Sequence, residues 1–172
     1  AAVNSLHVAH QAVVIYMDSH KDDVTPKMLL EHLTSYKFIA VLKFMQDVLK
    51  KQGILSLTLQ QNDMTFDHLC DVIEATIEGL HCSWRADKPT LGVEFKELWD
   101  LVLSQSKDGK RAITINLWDE KKFQMRFTPS VHADVMGNVV QPMARALREC
   151  IRERFPPCAL LRAFDIFDPR RW

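Results

Sequence analysis

The sequence lacks the patterns that identify common enzymes, metalloproteins and membrane proteins. No GxGxxG, GxxxxGK[ST], GxSxG, HExxH or EF-hand loop occurs in its 172 residues, which excludes the motif-defined nucleotide, hydrolase and calcium sites. No apolar run approaches the roughly 20 residues that span a bilayer. The apolar stretch from Leu6 to Met17 is interrupted by His7, His10 and Gln11 and follows no basic segment, so we interpret it as neither signal peptide nor anchor.

Paired cysteines are also missing, because none of the four cysteines belongs to a CxxC pair: Cys70, Cys82, Cys150 and Cys158. We interpret them as small buried residues of a reducing compartment. A zinc site built from His68, Cys70, His81 and Cys82 is disfavoured, since roughly three turns of helix separate its two ends. Cys150 lies between Arg148 and Arg152 but beside an apolar stripe, and we predict a core residue rather than a nucleophile.

What the sequence does contain is helical periodicity, with apolar fraction 47% and charged fraction 26% in the range of ordinary globular proteins. Apolar residues recur every three or four positions in two long segments, namely Tyr36, Ala40, Val41, Phe44, Met45 and Val48, and then Phe66, Leu69, Ile73, Ile77, Leu80 and Trp84. We expect the two stripes to pack together. Phe66, Ile73, Ile77 and Leu80 should be almost fully buried, whereas Asp63, Asp67, Asp71 and Glu78 should face solvent.

The remaining segments complete an all-α prediction: about five to seven helices in one irregular helical domain over 1–172, with an extended excursion around 107–135. A first helix is expected over 3–20, with Leu6, His10, Val13, Val14 and Met17 inward and His10 a hydrogen-bonded core histidine. Thr25 and Pro26 should open the second helix. Whether this helix breaks near Ser35 stays open, and Gly53 favours a kink or break.

Three further segments follow from the same patterns. Thr65 is a plausible N-cap for the helix that follows it. Phe95, Leu98, Trp99 and Val102 predict a helix to about Ser106, and a last helix runs from about Asn138 to Phe155, where Pro156 and Pro157 stop it. The segment 113–118 is rich in β-branched residues, yet we see no partner strand and expect an irregular excursion.

Charge is balanced overall but divided along the chain. Residues 1–106 carry 9 basic and 14 acidic side chains, whereas residues 107–172 carry 13 basic and 8 acidic ones. Both excesses lie partly at helical spacing: an acidic ladder of Asp63, Asp67, Asp71, Glu74 and Glu78, and a basic set of Arg145, Arg148, Arg152 and Arg154. We interpret both as solvated helix faces; the alternatives are faces that meet each other or opposite partners, and a nucleic-acid surface.

The order of four short stretches resembles the hAT superfamily of transposases and the proteins domesticated from them. These stretches are AVNSL from Ala2, FIAVLKFMQDVL from Phe38, LSLTLQ from Leu55 and FDIFDP from Phe164. In that family, a long helical insertion interrupts an RNase-H-like core whose Asp, Asp, Glu set holds divalent metal. The resemblance implies that this chain is a fragment lying between those carboxylates, so no catalytic residue is carried over and Asp165 and Asp168 are not metal ligands.

The resemblance therefore implies a non-catalytic insertion and assembly domain of a nuclear, DNA-binding parent, with no cofactor or metal and with no membrane association. Weak, non-specific DNA contact is expected through the basic part of the chain, at Lys110, Arg111, Lys121, Lys122, Arg126, Arg145, Arg148 and Arg152. Self-association of the parent is a second expectation. The alternative function is a helical protein interaction module unrelated to DNA.

Overall fold

A computed structural model describes residues 2–61, 65–83, 92–106, 112–117 and 120–164. The chain is mainly helical with one short two-stranded sheet, which confirms the all-α class. The elements are α1 (Ala2–Ser19), α2 (Val24–Leu33), α3 (Tyr36–Leu59), α4 (Phe66–Ser83), α5 (Val93–Ser106), β1 (Ile113–Leu117), β2 (Glu120–Phe127), α6 (Pro129–Val135), a π-helical turn (Met136–Val140), α7 (Gln141–Arg154) and α8 (Cys158–Ala163).

The 24-residue helix α3 is the centre of the fold, since it packs against α4, α5, α6 and β2 and also contacts α1 and α2. Its predicted stripe forms much of the core: Tyr36, Ala40, Phe44 and Val48 are buried, and Val41 and Met45 pack against them. The helix breaks near Ser35, a point that the sequence left open. The Ser35 hydroxyl accepts a hydrogen bond from the N–H of Phe38 and caps α3. Gly53 produces no break, and α3 continues through it.

Helices α1 and α2 form an outlying hairpin. His10 is buried, and its Nε2 lies 3.0 Å from the carbonyl oxygen of Leu33, which confirms a hydrogen-bonded core histidine. Val14 is buried as expected, but Val13 is exposed, so the predicted inward face was too wide. The start of α2 was also misplaced: Asp23 is the N-cap and Val24 the first helical residue, with Pro26 inside the first turn, where its missing N–H costs no hydrogen bond.

The excursion around 107–135 contains a regular β-hairpin, so the prediction that 113–118 lacks a partner was wrong. β1 and β2 pair antiparallel, with Ile113 opposite Phe127 and Ile115 opposite Met125. Side chains of Ile115, Met125 and Phe127 are buried on one face. This apolar face packs on α3 and α5. A two-stranded hairpin alone is at best marginally stable, so this packing is what stabilises it.

The segment 129–154 is helical throughout, so the last helix begins well before the predicted Asn138. Thr128 caps it by accepting from the N–H of Val131. The π-helical turn comes just before Pro142, which has no N–H to donate to the carbonyl of Asn138. The N–H of Gln141 instead reaches Met136 O, five residues back, so the local widening accommodates the proline without ending the helix.

Burial along α4 supports most of the predicted stripe but corrects its start. Ile73 and Leu80 are buried as predicted, whereas Ile77, which was also predicted to be almost fully buried, is only partly buried against the core. Phe66 is 40% exposed, contrary to the prediction, because it lies in the first turn and contacts the ring of Phe164 at the edge of the fold. Thr65 accepts from the N–H of His68, as expected of an N-cap. Asp63 and Trp84 lie outside the described residues.

Among the described residues, three members of the acidic ladder contact an arginine of α8, and none is paired with the arginines of α7. The guanidinium of Arg162 lies 3.7 Å from Asp67, 3.2 Å from Asp71 and 3.5 Å from Glu74. All four side chains are substantially exposed, so each pair contributes little to stability. The contact nevertheless places α8 along α4, so the acidic ladder is not simply a solvated face.

The N-terminus of helix α5 is capped by a side chain from another helix. Gly92 occupies the N-cap position, since its carbonyl accepts from the N–H of Lys96, but it has no side chain to bind the free N–H groups. The buried carboxylate of Asp47 on α3 accepts from the N–H of Glu94 at 3.0 Å and of Phe95 at 2.9 Å. A Cβ at Gly92 would lie 2.2 Å from Asp47 Cγ, so only glycine fits there.

Two lysines of α3 complete the junction with α5. Lys43 Nζ lies 2.8 Å from Glu94 Oε2, and Lys50 contacts the other carboxylate oxygen. The hydrogen bonds from Lys43 and Lys50 hold the pKa of Glu94 at about 2. Glu94 also lies in the first turn of α5, where the helix dipole favours negative charge.

Candidate nucleic-acid interface

The clearest grouping of predicted site residues lies on α7. Arg145, Arg148 and Arg152 are spaced three and four residues apart, so they share one face and extend over about 10 Å of helix. The buried positions Ala144 and Ile151 define the adjacent inward face. Among the described residues, no carboxylate lies within ion-pairing distance of these three arginines. We refer to this set of three as the α7 arginine face.

Arg148 differs from its two neighbours because it is only partly exposed. Its Nε is buried and has no hydrogen-bond partner. A guanidinium carries five N–H donors, and the buried Nε–H is out of reach of an incoming anion, so a phosphate contact at Arg148 would use the donors on the two terminal nitrogens. The arginine is therefore held at the base of the face while Arg145 and Arg152 extend into solvent.

The other predicted contacts are less well grouped. Arg126 is exposed on the outer face of the hairpin, opposite Thr114. Lys121 and Lys122 belong to β2, but the placement of their side chains lies outside the described part of the structure. Lys110 and Arg111 lie outside the described residues altogether. The structure therefore brings together three of the eight predicted residues.

Cys150 is exposed on α7, which corrects the prediction of a core position. It lies one residue before the buried Ile151, and at 100° per residue this displacement is enough to turn a side chain out of the core. Among the described residues, no three or more His, Cys, Asp or Glu side chains are grouped so that they could hold a metal ion. The described helices also include none long and apolar enough to cross a membrane.

A partly buried polar pair that the sequence did not reveal joins α3 to α6. The Tyr36 hydroxyl lies 2.7 Å from His132 Nδ1, and the His132 ring stacks on Trp99 at 4.3 Å. Burial raises the pKa of Tyr36 and lowers the pKa of His132, so both groups stay neutral near pH 7. Two neutral groups that satisfy each other inside an aromatic cluster serve packing, and no substrate-sized opening adjoins them among the described cavities.

A cavity of about 220 Å³ lies between α1, α3, α5 and β1. Apolar side chains line most of it, and three of its four polar residues are already engaged: His10 with Leu33, Lys43 with Glu94 and Asn116 with Gln124. The fourth is Glu97, whose negative charge disfavours an anion. The volume is below that of typical ligand pockets. This cavity therefore offers a weaker binding surface for a charged ligand than the α7 arginine face.

Comparison with known protein families, with curated proteins and with solved structures found no match to this chain.

Proposed function

We propose that this chain is a non-catalytic insertion and assembly domain of a hAT-like transposase or a protein derived from one. In this proposal, its α7 arginine face contacts the phosphate backbone of nucleic acid within a nuclear parent protein. The observation that carries the proposal is the set of three arginines on one face with no carboxylate partner among the described residues. The order of the four hAT-like stretches along the chain supplies the family context.

Charge chemistry favours a phosphate partner for this face. Guanidinium groups bind phosphate oxygens through paired N–H donors, and each contact releases a counterion from the nucleic acid. Backbone contacts of this kind position a protein on nucleic acid without reading its sequence. The acidic residues of α4 oppose a second, broad contact on that side of the domain, so the footprint should be small.

A salt titration tests this interface. We expect the chain to bind duplex DNA no more tightly than about 10⁻⁵ M at physiological salt, with little sequence preference. Changing Arg145, Arg148 and Arg152 to glutamine should weaken binding about tenfold at low salt and flatten the salt dependence, because fewer counterions are released. Fluorescence anisotropy with a labelled duplex measures both effects.

The matched control changes Lys21, Lys27 and Lys96 to glutamine, which alters net charge equally at exposed sites away from α7, in the turn after α1, on α2 and on α5. If both triple variants weaken binding to the same extent, the α7 arginine face is not the interface. Tight, sequence-selective binding by the unaltered chain would also contradict the proposal.

A helical protein interaction module unrelated to DNA is the second candidate, and the α1–α2 hairpin favours it. No residue of α2 is buried. Exposed apolar side chains lie one helical turn apart on each helix, with Val13 and Tyr16 on α1 and Val24 and Met28 on α2. Exposed apolar surface of this kind is typical of protein contacts.

Self-association through this hairpin can be measured directly. We expect the chain to form a concentration-dependent dimer in sedimentation experiments, and Tyr16→Ser with Met28→Ser should return it to monomer. Leu57→Ser is the control, because Leu57 is 66% exposed on α3. A dimer that persists in the double variant, or a monomer at all concentrations, would exclude self-association through α1 and α2.

A further inference from the structure

Two cysteines that lie far apart in sequence meet where α8 packs on α4. Cys70 Sγ lies 3.5 Å from the carbonyl oxygen of Cys158, and Cys158 Sγ lies 4.0 Å from the carbonyl oxygen of Cys70. Each thiol therefore points at the backbone of the other residue. Cys70 is fully buried, and Cys158 is partly accessible. A reagent in solution can therefore reach the Cys158 thiol first, whereas the Cys70 thiol is shielded from solvent.

The surroundings of the pair hold α8 in place for a bond to form. Leu161 is buried on the same short helix, and Arg162 binds the carboxylates of α4 one turn further along. The rings of Phe66 and Phe164 contact each other at the far end. These contacts keep the two backbones close in the reduced state, and close backbones are the first requirement for a disulfide.

We propose that Cys70 and Cys158 form a reversible disulfide that fixes α8 to α4 when a small disulfide oxidant such as oxidised glutathione accumulates. The Cys158 thiolate attacks one glutathione sulfur, which breaks the S–S bond and releases the first glutathione. Cys70, as its thiolate, then attacks the Cys158 sulfur and releases the second glutathione. Two protein thiols are oxidised, one glutathione disulfide is reduced, and the two thiol protons end on the released glutathione molecules.

The environment of Cys158 sets the rate of the first step. Burial raises its pKa to about 11, and hydrogen bonds involving Cys70 and Glu74 add to the effect. The thiolate is therefore scarce near pH 7, and the rate should rise about tenfold per pH unit between pH 7 and 9. Such a pair responds to sustained oxidation rather than to a brief pulse.

The test uses the full chain with Cys82 and Cys150 changed to serine, so that Cys70 and Cys158 are its remaining thiols. After exposure to oxidised glutathione without denaturant, mass spectrometry should show the loss of two hydrogens and a peptide that links Cys70 to Cys158. The midpoint of thermal unfolding should rise by roughly 5–15 °C, because the bond closes a long loop. Dithiothreitol should reverse both changes.

Two further variants separate this switch from ordinary thiol chemistry. Cys70→Ala in the same background should keep glutathione on Cys158 and show no rise in the unfolding midpoint. A chain that retains Cys150 alone should give only the mixed disulfide, because that thiol is exposed on α7. Glutathione retained on Cys158 while Cys70 is present, no reaction at either cysteine, or a disulfide without a rise in the unfolding midpoint would overturn the proposal.

Discussion

Replacing Asp47 with alanine is expected to lower the free energy of unfolding by about 3–4 kcal/mol. The carboxylate is 4% exposed and accepts two backbone hydrogen bonds at the start of α5. Hydrogen bonds to a charged acceptor contribute about 1.5–3 kcal/mol each, and the buried N–H of Phe95 would lose its partner. Urea denaturation followed by circular dichroism measures the loss.

The size of the effect follows from where the cap comes from. A helix normally takes its N-cap oxygen from the residue that precedes it, but Gly92 has none to offer. Asp47 therefore accepts hydrogen bonds from the free N–H groups of α5 and also links α3 to α5. We expect the loss of this one side chain to loosen the packing of Phe95 and Leu98 against α3 as well.

Two variants make the measurement specific. Asp47→Asn keeps one oxygen acceptor and should cost about half as much as the alanine variant. Asp100→Ala, an exposed acidic residue on the same helix α5, should change stability by less than about 0.5 kcal/mol. Equal losses for Asp47→Ala and Asp100→Ala would mean that net charge, rather than capping, is what Asp47 contributes.

The sequence could predict the long helices because their signal is local and repeated. Tyr36, Phe44 and Val48 recur on one face of α3, and this face is buried. Helix ends were less predictable, since a cap depends on one side chain. Asp23 competes with Thr25 for the start of α2, and both are preferred N-cap types.

The β-hairpin was predictable in principle and was missed. In β2 the residues Phe123, Met125 and Phe127 alternate with Lys122, Gln124 and Arg126, which is the period of a half-buried strand. With β2 assigned as a strand, β1 has a partner. On the exposed face of the hairpin, the Gln124 side chain donates a hydrogen bond to the Asn116 side chain.

The contacts that join distant segments of the chain could not be predicted from sequence. Asp47 reaches Phe95, Tyr36 reaches His132, and Cys70 meets Cys158 across 88 positions of the chain. Sequence spacing carries no signal for such pairs without the fold. The α7 arginine face, by contrast, could be predicted from sequence. Its arginines recur at helical spacing, and this spacing alone places them on one side of the helix.

The cost of truncating apolar residues along α4 should follow their burial rather than their size. Ile73→Ala and Leu80→Ala should each cost about 2–5 kcal/mol, because both side chains are at most 2% exposed and leave a cavity in the core. Phe66→Ala removes a larger side chain but should cost less than about 1.5 kcal/mol, since 40% of it already contacts solvent. Ile77→Ala should fall between these values.

Chemical denaturation of the four variants measures the order of their losses in unfolding free energy directly. Asp71→Ala is the control on the opposite face of α4, and its exposed pair with Arg162 should contribute less than about 0.5 kcal/mol. A loss at Phe66 equal to that at Ile73 would show that the first turn of α4 is buried in solution, as the apolar periodicity alone predicts. Because α4 lies between α3, α7 and α8, the order of these losses reports whether the centre of the domain packs as described.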